Sequence, residues 1–158
     1  MRVVVCGIGN VERGDDMFGP FVVARLNEGE RLKKIDCGLY PENYLNEIVS
    51  LAPDMVIFLD TVRGPDKTSV LLKNDEILGR SFLSVSTHNL SLAALYGFLK
   101  GSGVKEVCFV GVPVRSYAEF SPPVRTVAER LITLLNDIDK MNDFDIIKIY
   151  EALSEQLR

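Results

Sequence analysis

The apolar positions of the chain fall into runs of two kinds. Residues 2–8 (RVVVCGI), 55–60 (MVIFLD) and 106–112 (EVCFVGV) are nearly continuous apolar stretches, the pattern of strands buried on both faces. Residues 32–37 read as a weaker strand ending at Gly38, and TSVLLK (68–73) as a further one. Between them apolar residues recur at helical spacing. Val22, Val23 and Leu26 mark a helix opened by Gly19-Pro20 and running to about residue 29, and Tyr44, Leu45, Ile48 and Leu51 one running from Pro41 through Ser50. LSLAALYGFL (90–99) is a third helix, stopped by Gly101 and Gly103, and a short helical turn fits near 74–78. Ser121-Pro122-Pro123 starts a fourth, with Ser121 as capping hydroxyl and Val124, Val127, Ala128, Leu131, Leu135 and Ile138 as its stripe. After the polar break DKMND, Ile146, Ile147, Tyr150, Leu153 and Leu157 stripe a final helix, which either docks on the core or offers a partner or dimer surface.

Strands alternating with helices predict a three-layer α/β/α sandwich around a mainly parallel sheet. The turn RGPD (63–66) is too short for a helical crossover, so 68–73 should run antiparallel to the strand before it. Ligands of such folds sit beyond the carboxyl ends of the strands, where chemistry is sought first.

Composition narrows that chemistry. A chain of 158 residues supports one core, so 1–158 reads as a single domain with 140–158 as a C-terminal helical extension. With 18 basic against 22 acidic residues and no basic stripe, nucleic acid is not an expected partner. No segment suits a targeting signal or a membrane span. Cys6, Cys37 and Cys108 fit no zinc or CxxC spacing and read as reduced thiols of a cytoplasmic protein. His88 is the single histidine, which excludes multi-histidine zinc sites.

Three polar clusters collect at the strand ends: GIGNVERGDDMFGP (7–20), Asp60, and Thr87-His88-Asn89. Gly7 and Gly9, with Asp36 further on, invite a dinucleotide reading. The fingerprint fails because Glu12 stands where its third glycine belongs, and Glu12, Asp15 and Asp16 would repel a pyrophosphate. Paired acids in a glycine-rich turn suit a cation better. Helix capping would occupy one of them, Asp15 or Asp16, but needs only one. Asp60, after an apolar strand, is either a turn-capping aspartate or a ligand, and His88 either a satisfied core histidine or a ligand. Asp16, Asp60 and His88 together would make a three-ligand site with open positions, suited to Ni, Zn, Mn or Fe. Such a weak seat could accept a metal that arrives on another molecule, there to polarise a carbonyl or activate a water. A Ser-His-Asp triad would also need His88, but no GxSxG elbow supplies its serine.

The stretch GIGNVERGDDMFGP, with DCG and PEN at 36–43, Asp60 after its strand and THN at 87–89, resembles the nickel-iron hydrogenase maturation endopeptidases. The match runs from residue 3 to about 135, and the PEN and THN elements are most similar to the formate-hydrogenlyase-type branch. The resemblance implies a five-stranded, mostly parallel sheet with one antiparallel edge strand. It implies an endopeptidase that removes the C-terminal extension of a hydrogenase large-subunit precursor after nickel insertion. It implies no resident cofactor, the nickel being supplied by the precursor. The family's nickel-contacting residues fall on Asp16, Asp60 and His88, which would also carry catalysis, and substrate contact falls on Gly38 and Asn89. Two departures stand out: Met17-Phe18 follow the paired acids where many members have glycine, suggesting an apolar lip, and Cys37 replaces the first glycine of a Gly-Gly pair. Cys37 is either a soft metal contact or a small buried thiol. Tyr40, Glu42, Tyr117 and Phe120 are candidates for gripping substrate, against ordinary loop packing. Two alternatives remain open. A resident-metal hydrolase of small substrates would purify with stoichiometric metal, and a nickel carrier or chaperone would bind precursor without shortening it.

Overall fold

The structure, a computed structural model, describes residues 1–63, 68–79, 91–141 and 145–158. Five strands, β1 (Val3–Ile8), β2 (Leu32–Gly38), β3 (Met55–Val62), β4 (Val70–Lys73) and β5 (Glu106–Pro113), form one sheet in the order β2-β1-β3-β5-β4. The pairings of β2, β1, β3 and β5 are parallel, and β4 runs antiparallel on β5 at the edge. The strand at 68–73 is thus antiparallel in sense, but its partner is β5 rather than the preceding strand.

β1 and β3 are buried at every position, because both faces are covered. Val3, Val5, Met55, Ile57, Leu59, Cys108 and Val110 pack toward α1 (Phe18–Ala24), α4 (Pro122–Asn136) and α5 (Ile146–Gln156). Val4, Cys6, Val56, Phe58, Val107 and Phe109 pack toward α2 (Leu45–Ser50) and α3 (Leu92–Gly101). Alternate side chains of each strand therefore feed two separate cores, giving three layers.

Several boundaries differ from the pattern reading. The first helix ends at Ala24, not near 29, because NEGE (27–30) lacks apolar positions and the chain there is held from outside: the Asn136 side chain accepts the Asn27 N–H at 2.7 Å. β3 continues to Val62, so Asp60 lies within the strand, paired with Gly111, rather than beyond it. In α5 Ile146, Tyr150, Leu153 and Leu157 of the expected stripe pack on the core together with Ile149, which the stripe omitted, while Ile147 is 63% exposed. The helix docks on the core by that face and by a polar pin: Tyr150 Oη donates to Glu106 Oε2 at 2.9 Å, and Asn74 Nδ2 donates to the same oxygen at 2.6 Å.

Candidate active site

The site begins with close packing of the β1–α1 connection. A Cβ on Gly19 would stand 2.6 Å from the backbone N and O of Ile8 and 2.7 Å from the Leu59 carbonyl oxygen. Only glycine lets α1 start against the sheet at this point. Gly9, at φ 150°, leaves room for the carbonyl of Asp16, which a Cβ there would strike. The glycines of GIGN and MFGP thus fold the loop back on the strand end and bury both acids: Asp15 is 0% and Asp16 1% exposed.

The two acids divide their work. Asp15 is a tether for the connection between β5 and α4. Its Oδ2 accepts the N–H groups of Arg115 at 2.8 Å and Ser116 at 2.9 Å, and its Oδ1 accepts that of Ser121 at 2.7 Å. Ser121 Oγ donates to the same carboxylate at 2.8 Å. Ser121 stands at the N-cap position of α4 without a side-chain capping bond, its hydroxyl turned to Asp15 instead. This corrects the sequence reading of Ser121. The burial cost of Asp15 is offset by bonds to a charged acceptor, stronger than neutral ones.

Asp16 turns to the strand ends instead. Asn10 N–H donates to Asp16 Oδ2 at 3.0 Å, and Thr61 Oγ1 donates to Asp16 Oδ1 at 2.8 Å. The backbone N–H of the same Thr61 donates to Asp60 Oδ1 at 2.7 Å, and Asp60 and Thr61 are both 0% exposed. By strand alternation Thr61 follows Leu59 toward α1, whereas Asp60 follows Phe58 toward α3. One threonine thus holds two buried carboxylates across the end of β3. Sequence reasoning missed it; its only signal was a hydroxyl directly after Asp60.

Gly38, at φ 56°, donates its N–H to Asp36 Oδ1 at 3.0 Å and accepts the Gly9 N–H at 2.9 Å. The end of β2 is thereby fastened beside the loop that carries Asp16. Cys37 is buried, and burial together with its hydrogen bond pushes the Cys6 thiol well above its ordinary range. Phe18 is 0% exposed and belongs to the α1 core, so it does not form the apolar lip expected of it. Phe120 packs on Phe21 with ring centroids 4.8 Å apart, a packing role. Tyr40 and Tyr117 are exposed. Among the described residues, Glu42 Oε2 is buried without a hydrogen-bond partner. His88 and Asn89, with Thr87, lie outside the described residues, and among the described residues no three His, Cys, Asp or Glu side chains are placed to hold a metal ion.

Known proteins share this fold. No family model matches the chain. A Methanocaldococcus jannaschii protein named as a hydrogenase maturation protease is 28% identical over 151 residues, covering 87% of this chain and 88% of that one. The crystal structure of the NiFe hydrogenase maturation protease HycI from Thermococcus kodakarensis superposes with a TM-score of 0.73 at 31% identity, over 89% of this chain and 93% of that one. The solution structure of the endopeptidase HycI from Escherichia coli gives a TM-score of 0.70 at 26% identity, over 88% and 92% of the two chains. At that identity and coverage, on the same five-stranded mixed sheet, the chain belongs to the NiFe hydrogenase maturation proteases.

Proposed function

We propose that this chain removes the C-terminal extension of a NiFe hydrogenase large-subunit precursor once nickel has been inserted. In this reading it recognises the precursor's nickel through Asp16, Asp60 and His88, with no cofactor of its own. The observation that carries the reading is the pair of fully buried carboxylates joined by Thr61 at the end of β3. Burying neighbouring carboxylates is costly, and the structural task in this loop already belongs to Asp15. A second and third acid there need another reason. Two carboxylates with an imidazole suit nickel brought in by the substrate.

Thr61 fixes the direction of both carboxylates, so that neither must reorganise when substrate enters. Asp16 or Asp60 accepts the proton of the attacking water, which makes the enzyme an aspartate-dependent endopeptidase whose activity is conditional on the metal in its substrate. The substrate chain runs past Gly38 and Asn89. Glu42, with its unpartnered oxygen just past β2, offers an acceptor for a substrate N–H. No helix among the described residues is long and apolar enough to cross a membrane, and we place the processing in the cytoplasm.

The test is mass spectrometry of nickel-loaded and nickel-free precursor after incubation with the wild type, Asp16→Asn, Asp60→Asn and His88→Ala. The wild type shortens only the loaded precursor, and each variant loses at least about 100-fold in rate, the scale of a lost acid–base group. Wild-type cleavage by Asp16→Asn, or equal cleavage of nickel-free precursor, overturns the assignment.

A further inference from the structure

The mouth of the site carries an arrangement that the aspartates do not require. Tyr117, on the connection between β5 and α4, is 37% exposed. Two guanidinium groups gather on its ring: Arg13 lies 4.6 Å from the centroid and Arg63 5.8 Å. Arg63 Nε also donates to the Tyr117 hydroxyl at 3.2 Å. The three residues come from the same loops that hold the acids. Arg13 precedes the Asp15–Asp16 pair, Arg63 follows β3 and Asp60, and Tyr117 follows Ser116, whose N–H binds Asp15.

A ring attracts each cation, but gathering two on one ring leaves like charges well within a Debye length of each other. Among the described residues, neither guanidinium has a carboxylate within ion-pairing distance. In a chain of net charge −4, two converging cations left without a carboxylate are conspicuous. Arginine's planar fork is the group suited to holding a carboxylate by two parallel bonds. A centre built from buried aspartates would otherwise repel an acidic stretch of substrate.

We propose that Arg13 and Arg63, gathered on Tyr117, form a subsite for a carboxylate of the polypeptide being processed, beside the Asp16–Asp60 pair. The inference rests on the endopeptidase reading for its substrate class, but carboxylate binding belongs to the metal-free protein and is measurable by itself. The carboxylate comes from an acidic side chain or from a free chain end.

The experiment follows the arginine Nε–Hε NMR signals of the full chain during titration with three peptides. These are acetyl-Gly-Glu-Gly-amide, acetyl-Gly-Gly-Gly with a free carboxylate, and the neutral acetyl-Gly-Gln-Gly-amide. The Arg13 and Arg63 signals shift saturably with one or both acidic peptides, at about millimolar affinity, and do not move with the neutral one. Whichever acidic peptide binds more tightly identifies the source. The response disappears in Arg63→Ala and in Arg13→Gln and persists in Arg130→Ala, which removes a positive charge from α4. With nickel-loaded precursor, Arg63→Ala raises KM by about tenfold and leaves kcat within about twofold, the pattern of lost binding shared by ground and transition states. Equal shifts with the neutral peptide, or none with either acid, overturn the proposal. Asp16→Asn separates the two readings. It abolishes cleavage while the acidic peptides still move the arginine signals, so lost cleavage bears on the endopeptidase and lost shifts bear on the subsite alone.

Discussion

Asp15→Asn exchanges one oxygen for an NH2 group and leaves the shape of the side chain unchanged. Its consequence can be worked from the bonds of the wild type. If the new NH2 replaces Oδ2, it faces the N–H groups of both Arg115 and Ser116. If it replaces Oδ1, it faces only the N–H of Ser121, while the Ser121 hydroxyl turns to the remaining oxygen. The second orientation is preferred, and it orphans one buried backbone donor at about 1–3 kcal/mol. The bonds from Arg115 and Ser116 survive but lose their ionic character, about 0.5–1 kcal/mol each. Burying an amide is easier than burying a carboxylate, which returns part of the loss. The net expectation is a destabilisation of about 2–4 kcal/mol, or roughly 5–15 °C in Tm for a chain of this size. Urea denaturation followed by circular dichroism measures it, with the m-value unchanged. Asp16→Asn is the control, because its amide can accept from Asn10 N–H and donate to Thr61 Oγ1, so neither of these bonds leaves a buried backbone donor orphaned and the loss is smaller than in Asp15→Asn. If Asp15→Asn unfolds within about 0.5 kcal/mol of the wild type, or Asp16→Asn loses as much as Asp15→Asn, the division of labour between the adjacent acids is wrong.

Two glycine substitutions should move stability in opposite directions. Gly19→Ala, whose methyl would meet only backbone atoms at 2.6–2.7 Å, costs more than about 3 kcal/mol or prevents folding. Gly97→Ala, on an exposed turn of α3 with nothing within 4 Å of the new methyl, gains about 0.5–1 kcal/mol, and thermal melts of both check the pair. Alkaline pH should destabilise the fold. Burial, with Cys108 and Glu106 nearby, pushes the Tyr150 hydroxyl well above its ordinary value of 10.0, and burial likewise pushes up the Cys108 thiol above 9.0. The folded state keeps protons that the unfolded chain releases, so the stability present below about pH 9 falls as pH rises beyond it. Tyr150→Phe flattens part of that decline in denaturation curves taken from about pH 8 to about pH 11. An unchanged slope in that variant refutes the contribution of the tyrosine.

The sheet was legible because its strands are buried on both faces. A continuous apolar run such as MVIFL has one structural solution in a chain of this size, and the connection at 63–66 leaves no length for a crossover. Helix ends were harder to place, since they depend on contacts from elsewhere. Nothing near residue 24 says that Asn136 will hold the chain at Asn27. In α5 the stripe was right except that it took in Ile147 and left out Ile149, because Ile146, Ile147, Ile149 and Tyr150 offer two overlapping stripes. Only the position of the sheet edge, with Glu106 and Asn74 waiting for Tyr150, selects between them.

The acids of the candidate site show the same limit in a sharper form. Two adjacent aspartates in one glycine-rich turn are identical to any pattern, and local capping logic separates them only by asking how many acids a cap requires. What separates them is distance along the chain. The partners of Asp15 lie a hundred residues later, in Arg115, Ser116 and Ser121, and those of Asp16 include Thr61 on β3. Ser121 illustrates the cost of a local rule, for a serine before two prolines reads as a capping hydroxyl although a buried carboxylate can orient it elsewhere. Its hydroxyl donates to the charged acceptor Asp15 and accepts no first-turn N–H, and the helix start is left to its prolines, whose missing N–H groups need no cap. The loop that Asp15 secures is the one that presents Tyr117 to Arg13 and Arg63. Position in the folded chain, more than residue type, therefore decides which acid tethers the β5–α4 connection and which one turns to the end of β3.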